Sequence, residues 1–158
     1  MSKDTLQIRA ATSADVNFTR VCAEQAYAPY IASIGKRPAP LDADYAALIS
    51  RGTVYIAQTA SGAPLGFIVC FPRDGQMHVE NIAVLPAAAG QGVGRQLFSF
   101  CERAARKYGL STLDLYTNVK MTDNLSLYPY LGFHEVGRRT EDGFERVYFE
   151  KHLPQTSE

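Results

Sequence analysis

A stretch of very small residues is the first place where this sequence could bind a ligand. Residues 87–94 read Ala-Ala-Ala-Gly-Gln-Gly-Val-Gly, so few side chains would keep a ligand away from the backbone. A helix that starts directly after such a loop presents N–H groups without intrahelical partners, and its dipole adds about half a positive charge at that end. The segment therefore predicts a site for an anion such as a pyrophosphate.

The spacing of the glycines narrows the kind of phosphate ligand. A nucleoside triphosphate loop needs Gly-Lys followed by Ser or Thr, whereas this chain has Gly94-Arg95-Gln96. A dinucleotide loop reads G-x-G-x-x-G after the first strand, whereas here the glycines form G-x-G-x-G after the fourth predicted strand. Asp114 stands about where a ribose partner would, but the position of the loop disfavours that class. A tight turn without any ligand is the remaining alternative.

Hydrophobic periodicity predicts the elements that position this loop. The clearest helix spans 92–108, where apolar residues recur at helical spacing: Leu97, Cys101, Ala104, Ala105 and Tyr108. Gly109 follows it as a typical helix stop. Further helices are predicted from 12 or 13 to 26, at 42–50 and at 124–131, and strands at 5–9, 54–58, 65–71, 77–84, 112–117, 133–138 and 144–151.

This order of elements predicts a mixed sheet of about seven strands with helices on both faces, in the α/β or α+β class. The strand–helix–strand crossover over 77–117 implies one parallel pair of strands. A chain of 158 residues without repeats predicts one domain over 1–158, with its core at about 5–152. Residues 35–41 are expected to form a loop between two helices, and 154–158 a frayed tail.

Composition excludes several functional classes. Apolar residues make up 46% and charged residues 20%, as in ordinary soluble globular proteins. Sixteen basic residues balance sixteen acidic ones, which gives no basic surface for nucleic acid. No stretch approaches the roughly 18 apolar residues of a membrane span, and residues 1–10 lack the apolar run of a signal peptide. We therefore expect a cytoplasmic protein with neither a nucleic acid nor a membrane as partner.

The residues that most often bind metals or form crosslinks are sparse. The cysteines are odd in number and sit among apolar neighbours, which predicts free buried thiols: Cys22, Cys70 and Cys101. The histidines are too scattered along the sequence for a ligand set, so no metal is predicted: His78, His134 and His152.

Two motifs together resemble the GNAT superfamily of N-acetyltransferases. The coenzyme A pyrophosphate loop of that family reads Q/R-x-x-G-x-G/A, and residues 89–94 match it except that Ala89 takes the leading position. One helix and one strand later the family has L-Y-x-x-x-G-F, which residues 127–133 match. Residues 121–124, Met-Thr-Asp-Asn, resemble an M-T-D/E-N variant of a subgroup. The resemblance covers about 5–152 and implies the acyl-coenzyme A N-acyltransferase fold.

The resemblance implies acetyl-coenzyme A as co-substrate, with somewhat weaker affinity because of Ala89. In the family, backbone amides of the loop bind the pyrophosphate and the backbone of the fourth strand binds the pantetheine arm. The residues implied here are Ile82, Ala83 and Val84 for the arm, Ala89, Gly90, Gln91, Gly92, Val93, Gly94 and Arg95 for the pyrophosphate, and Asn124 and Tyr128 beside the arm.

The resemblance also implies a direct transfer without a covalent enzyme intermediate. Tyr128 takes the position of the family's general acid, which protonates the leaving thiolate. His78 and Glu80 lie two residues apart on the fourth predicted strand and so share one face. Related enzymes place their base there, and Glu80 is the better candidate because a carboxylate can act through water. Each of the three side chains could instead be purely structural.

The acceptor pocket of the family is lined by its first two helices, here through Tyr27, Tyr30, Ile31 and Tyr45. This aromatic lining suggests an apolar or aromatic amine or a peptide end, unless these residues belong to the core. We expect acetylation of a primary amine of a small molecule or amino acid. The alternatives are acetylation of a protein or peptide at its N-terminus or a lysine, and a non-catalytic acetyl-coenzyme A sensor. Because members of the family often dimerise, a homodimer stays open.

Overall fold

The computed structural model describes residues 6–154. Its strands and α-helices follow the predicted order, with one additional short helix. They are β1 (Gln7–Ala10), α1 (Val16–Tyr27), α2 (Ile31–Ile34), α3 (Tyr45–Ser50), β2 (Val54–Gln58), β3 (Pro64–Arg73), β4 (Gln76–Val84), α4 (Val93–Lys107), β5 (Thr112–Asn118), α5 (Thr122–Tyr130), β6 (His134–Glu141) and β7 (Phe144–His152).

All seven strands join one mixed sheet in the order β1-β2-β3-β4-β5-β7-β6. Every neighbouring pair is antiparallel except β4 and β5, which run parallel because α4 connects them. This confirms the predicted crossover over 77–117. A parallel connection needs a long return path, and the 15-residue α4 supplies it.

Helices cover both faces of the sheet, as predicted. On one face, the buried side of α4 packs on strands from the middle of the sheet, with Leu97 and Cys101 fully buried against Ile68 and Leu113. On the other face, α1 and α3 form a second core whose strand residues come from β2, β3 and β4. The three cysteines are free and buried, which confirms the prediction for them.

The predicted apolar stripe of helix α4 is buried except at its last residue. Leu97, Cys101 and Ala105 are completely buried, as the predicted stripe requires. Tyr108 is 64% exposed, so its placement on the buried stripe was wrong. The helix ends at Lys107, and Gly109 turns the chain away with a φ of 74°, so Tyr108 no longer follows the helical repeat.

The first third of the chain differs most from the prediction. A one-turn helix, α2, follows α1 and stops at Gly35, whose φ of 87° only glycine adopts without strain. The predicted helix at 42–50 begins only at Tyr45, where the Asp44 side chain caps it by accepting the Ala47 N–H. The first residue of the predicted strand at 5–9 and the tail beyond Pro154 lie outside the described residues. No helix within 6–154 has the length and apolar character to cross a bilayer.

Strands β4 and β5 separate soon after they begin. They pair only through Met77 with Leu113 and His78 with Asp114, although β4 continues to Val84 and β5 to Asn118. The sheet therefore opens in a V between its two central strands, and the open end points toward the loop before α4.

Candidate active site

A cavity occupies the V between β4 and β5. Its walls are formed by Val79–Ile82 of β4 and Leu115–Asn118 of β5, and Asn124 and Tyr128 of α5 line it as well. It extends toward the segment before α3 and toward β7, where Phe144 and Arg146 complete the lining. The cavity is thus bordered by β4 backbone that β5 does not pair, and by a buried phenol, a carboxylate and a guanidinium.

A chain of three titratable side chains begins at this cavity. The His78 ring is 1% exposed; its Nδ1 lies 2.6 Å from Asp114 Oδ1 and its Nε2 lies 2.9 Å from Glu80 Oε1. Asp114 stands opposite His78 in the last residue pair of the two strands. Glu80 is exposed and lines the cavity, so the chain connects the cavity to the interior of the sheet.

A β-bulge in β4 brings Asn81 to the same face of the sheet as Glu80. Against β3, Val79 pairs with Cys70 and Asn81 with Val69, which leaves Glu80 without a partner. A bulge of this kind disrupts the strict alternation of side chains. Glu80 and Asn81 consequently both reach the face covered by α1, where the Tyr27 hydroxyl lies 2.6 Å from Asn81 Oδ1.

The pKa of His78 is set by opposing effects. Burial, the largest influence, lowers it, and the charge of Arg73 acts in the same direction. The hydrogen bonds to Asp114 and Glu80 outweigh both, so the pKa of His78 lies above its ordinary value of 6.5. The two carboxylates therefore favour the protonated form of the imidazole despite its burial.

Tyr128 is fixed by aromatic packing. Its ring centroid lies 5.7 Å from that of Phe133 and 5.6 Å from that of Phe149, and the residue is 6% exposed. The Leu127–Phe133 motif produces this position, because the chain turns back at Gly132, with a φ of 98°, and the Phe133 N–H bonds the Tyr128 carbonyl at 2.9 Å. Burial raises the pKa of Tyr128, so the phenol keeps its proton.

The glycine loop has the geometry that an anion requires. Gly90 and Gly92 both have a φ of 80°, which residues with a Cβ rarely adopt. Gly92 precedes α4, and no side chain caps the helix, so the first-turn N–H groups face outward. Arg95, in that first turn, stacks over the Tyr130 ring at 5.5 Å.

The predicted arm-binding residues lie along the open side of β4. Ile82, Ala83 and Val84 pair with β3 but lie beyond the last residue pair with β5. The Tyr27 hydroxyl lies 3.0 Å from the Ile82 carbonyl oxygen. On the opposite wall, Asn124 Nδ2 donates to Thr117 Oγ1 at 3.0 Å.

Only one of the four predicted acceptor residues lines the cavity. That residue is Tyr27. Tyr45 is 1% exposed in the second core, and its hydroxyl is bonded to the Pro40 carbonyl, so its assignment to the pocket was wrong. The Tyr30 hydroxyl donates to Asp123 on α5 at 3.3 Å instead. Ile31 lies on the unexpected helix α2 and is not part of the lining.

Sequence reasoning missed Asp114 and Arg146 as site residues. Arg146 stacks on Tyr116 at 4.4 Å, and its Nη1 lies 3.2 Å from Glu141 Oε1. Asp114 lies between two leucines on β5 and Arg146 follows another charged residue on β7, and both patterns are typical of an ordinary strand surface. Only the pairing of β5 with its two neighbours shows that they face the cavity and His78.

The histidines are less scattered than their spacing suggested. Because β6 and β7 are paired, the rings of His134 and His152 lie 5.2 Å apart. His78 stands away from them in the chain with Asp114 and Glu80.

The sequence signature of the Acetyltransferase (GNAT) domain matches residues 50–135, more than half of the chain. The chain belongs to the GNAT acetyltransferase family. Both motifs that carried the resemblance, at 89–94 and 127–133, lie within the matched segment, which confirms the resemblance. The subgroup variant at 121–124 stays a prediction.

One GNAT relative matches a short segment of the chain. A segment of 57 residues is 33% identical to aminoalkylphosphonate N-acetyltransferase from Salmonella typhimurium and covers 36% of this chain and 37% of that protein. The match thus spans little more than a third of that relative's length.

Solved GNAT structures share the fold. PaiA N-acetyltransferase from Thermoplasma acidophilum, solved in complex with coenzyme A, gives a TM-score of 0.77 at 18% identity over 94% of this chain and 99% of that one. The ribosomal-protein-S18-alanine N-acetyltransferase from Escherichia coli gives 0.73 at 20% identity over 98% and 97%. These likenesses confirm the mixed sheet with helices on both faces.

The hydrogen bonds of His78 predict how its pKa changes when one carboxylate partner is removed. The Asp114→Asn substitution removes a carboxylate that stabilises the imidazolium, so the pKa of His78 should fall from above 6.5 toward or below it. An NMR titration of the three histidine rings, assigned with a His78→Gln variant, measures this. Asp44→Asn neutralises a carboxylate at the N-terminus of α3 and should leave the pKa unchanged. A His78 that titrates below 6.5 in the wild type would show that burial dominates.

Proposed function

We propose that this protein transfers the acetyl group of acetyl-coenzyme A to the primary amine of a small molecule that also carries an acid group. The supporting observation is that a single cavity, in the V between β4 and β5, is lined by Glu80, Tyr128 and Arg146. These side chains supply a proton acceptor, a proton donor and an anion-binding group. Family membership and the glycine loop indicate that acetyl-coenzyme A is the acyl donor.

Acetyl-coenzyme A would be held at the open end of the V. The amides of residues 90–95 and the dipole of α4 suit its pyrophosphate, and the small Ala89 leaves those amides accessible. The backbone of Ile82–Val84, which β5 does not pair, is available to the amides of the pantetheine arm. The Thermoplasma acidophilum protein of the same fold was solved in complex with coenzyme A, which is consistent with coenzyme A as the ligand.

The reaction begins with removal of a proton, because an ammonium group has no free electron pair. Glu80 faces the cavity and takes the proton directly or through water, and a neutral His78 then receives it at Nε2 across the 2.9 Å contact. Asp114 holds the other ring nitrogen and balances the positive charge on the imidazole. The three side chains thus act as a base, and the proton taken from the amine is stabilised away from the reacting atoms.

The acetyl group then moves in a direct displacement. The amine nitrogen attacks the thioester carbonyl carbon, a C–N bond forms, and the C–S bond breaks in the collapse of the tetrahedral intermediate. Tyr128 protonates the departing thiolate, and the raised pKa of its buried phenol ensures that the proton is present. The amide N–H groups of β4 beyond His78 are the candidates for stabilising the oxyanion.

Arg146 indicates which amines are accepted. Its guanidinium lies at the cavity on the Tyr116 ring. Its Nη1 lies 3.2 Å from Glu141 Oε1 and 3.8 Å from Asp142 Oδ2, so both carboxylates meet the same nitrogen. A guanidinium has five N–H donors in a fixed fork, so donors remain for a carboxylate or phosphonate. The cavity lining, with one carboxylate and one guanidinium, differs from the acidic groove expected for peptide acceptors. The partial match to an aminoalkylphosphonate acetyltransferase is consistent with such a substrate.

A thiol-release assay with paired acceptors tests this function. Aminoalkyl carboxylates and phosphonates should react faster than amines of equal length without the acid group. Arg146→Gln should raise KM for the acidic acceptors at least tenfold, because a charge-assisted hydrogen bond contributes about 1.5–3 kcal/mol. KM for the plain amines should change little.

The control for that experiment is Arg138→Gln, which removes an exposed arginine of β6 that pairs with Glu135. Thermal unfolding of both variants checks that the fold is intact. Equal rates for acidic and plain amines would contradict the acceptor class. Reaction only with peptides would favour a protein acceptor, and cofactor binding without any thiol release would favour a sensor.

Tyr128→Phe tests the proton donor. Removal of the hydroxyl should lower kcat at least tenfold and leave KM for acetyl-coenzyme A nearly unchanged, because the ring still packs on Phe133 and Phe149. Tyr108→Phe, at the exposed end of α4, is the matched control and should retain full activity. An unchanged kcat in Tyr128→Phe would remove this residue from the mechanism.

A further inference from the structure

We propose that His134, Glu150 and His152 form a binding site for a divalent transition metal of the zinc class. The site lies on β6 and β7, toward the end of the sheet at which β4 and β5 begin. It is separate from the cavity and does not depend on the proposed acetyl transfer.

Strand pairing brings the three side chains to one face of the sheet. His134 stands opposite Glu150 in the β6–β7 register, and His152 follows Glu150 by two residues on the same strand, so their side chains share a face. One potential ligand atom from each residue lies within 4.8 Å of the other two. The His152 Nε2 and Glu150 Oε1 atoms are 3.9 Å apart.

Neighbouring side chains orient two of the three groups. Thr112 Oγ1 lies 3.1 Å from His152 Nδ1, which leaves Nε2 of that ring free for a metal. Gln76 Nε2 donates to Glu150 Oε2 at 3.4 Å, which leaves Oε1 free. Histidine ligands usually donate their second N–H to such a partner, which fixes both tautomer and ring direction.

The chemistry of the donors selects the metal. Two imidazoles and one carboxylate suit Zn²⁺, Ni²⁺ or Cu²⁺, whereas Mg²⁺ and Ca²⁺ prefer oxygen donors throughout. Ligand bonds of about 2.0–2.2 Å require the three groups to approach one another further. Both histidines are exposed and can make that adjustment by side-chain rotation, and the face they share leaves the fourth position to water.

The surrounding charge also favours a cation. Asp114 pairs with Glu150 across β5 and β7, so a second carboxylate lies one strand away. His134 and His152 are exposed, so a metal ion can reach the site from solvent.

Isothermal titration of the tag-free protein with ZnCl₂ tests the site. We expect one Zn²⁺ per chain, with binding weakened at least tenfold in His134→Ala and in His152→Ala. Gln76→Ala, which removes only the orienting contact to Glu150, should weaken binding less than loss of a ligand. Mg²⁺ should bind far more weakly than Zn²⁺.

Glu135→Gln is the matched control, because Glu135 follows His134 on β6 but pairs with Arg138. It should bind Zn²⁺ like the wild type, and circular dichroism should show that every variant is folded. Absence of Zn²⁺ binding would overturn the proposal. Binding that survives both histidine substitutions would also overturn it, since the metal would then occupy other groups, such as the thiols.

Discussion

The early end of pairing between β4 and β5 is the constraint on which the rest of the molecule depends. A parallel pair would normally bond along its whole length, but here only two residue pairs are in register before the strands diverge. The backbone of β4 beyond His78 gains no partner from β5, and a cavity replaces the missing ladder. The unpaired groups need hydrogen bonds from elsewhere, and a ligand with amides along its length is a suitable source.

The two ends of this opening are suited to different tasks. At its closed end, the last paired residues place Asp114 beside His78, and Glu80, two residues further along β4, lines the cavity. At its open end, the glycine loop leads into α4, whose buried side anchors it to the sheet. Strand β4 therefore connects the proposed acid–base chain, near its start, to the proposed anion site, which follows its end.

The sequence predicts the features that are local in the chain. The glycine loop, the α4 stripe and the Leu127–Phe133 motif each follow from neighbouring residues, and the structure contains all three except for Tyr108, which lies beyond the end of the stripe. Features that depend on strand register could not be predicted, since Asp114 meets His78, and His134 meets His152, only after distant strands pair. The assignment of Tyr45 to the acceptor pocket was wrong for a related reason. The sequence pattern of an aromatic residue on a short helix is the same whether the residue lies in a core or in a pocket. The β4 bulge carries no sequence signal that periodicity detects.

Calorimetric titration of the wild-type protein with coenzyme A and, separately, with pantetheine tests whether the glycine loop and the V hold the cofactor. If the loop before α4 binds the pyrophosphate and the V holds the arm, coenzyme A should bind one per chain, and at least a hundredfold more tightly than pantetheine, which lacks the pyrophosphate. Absence of coenzyme A binding, or equal affinity for the two compounds, would contradict the account.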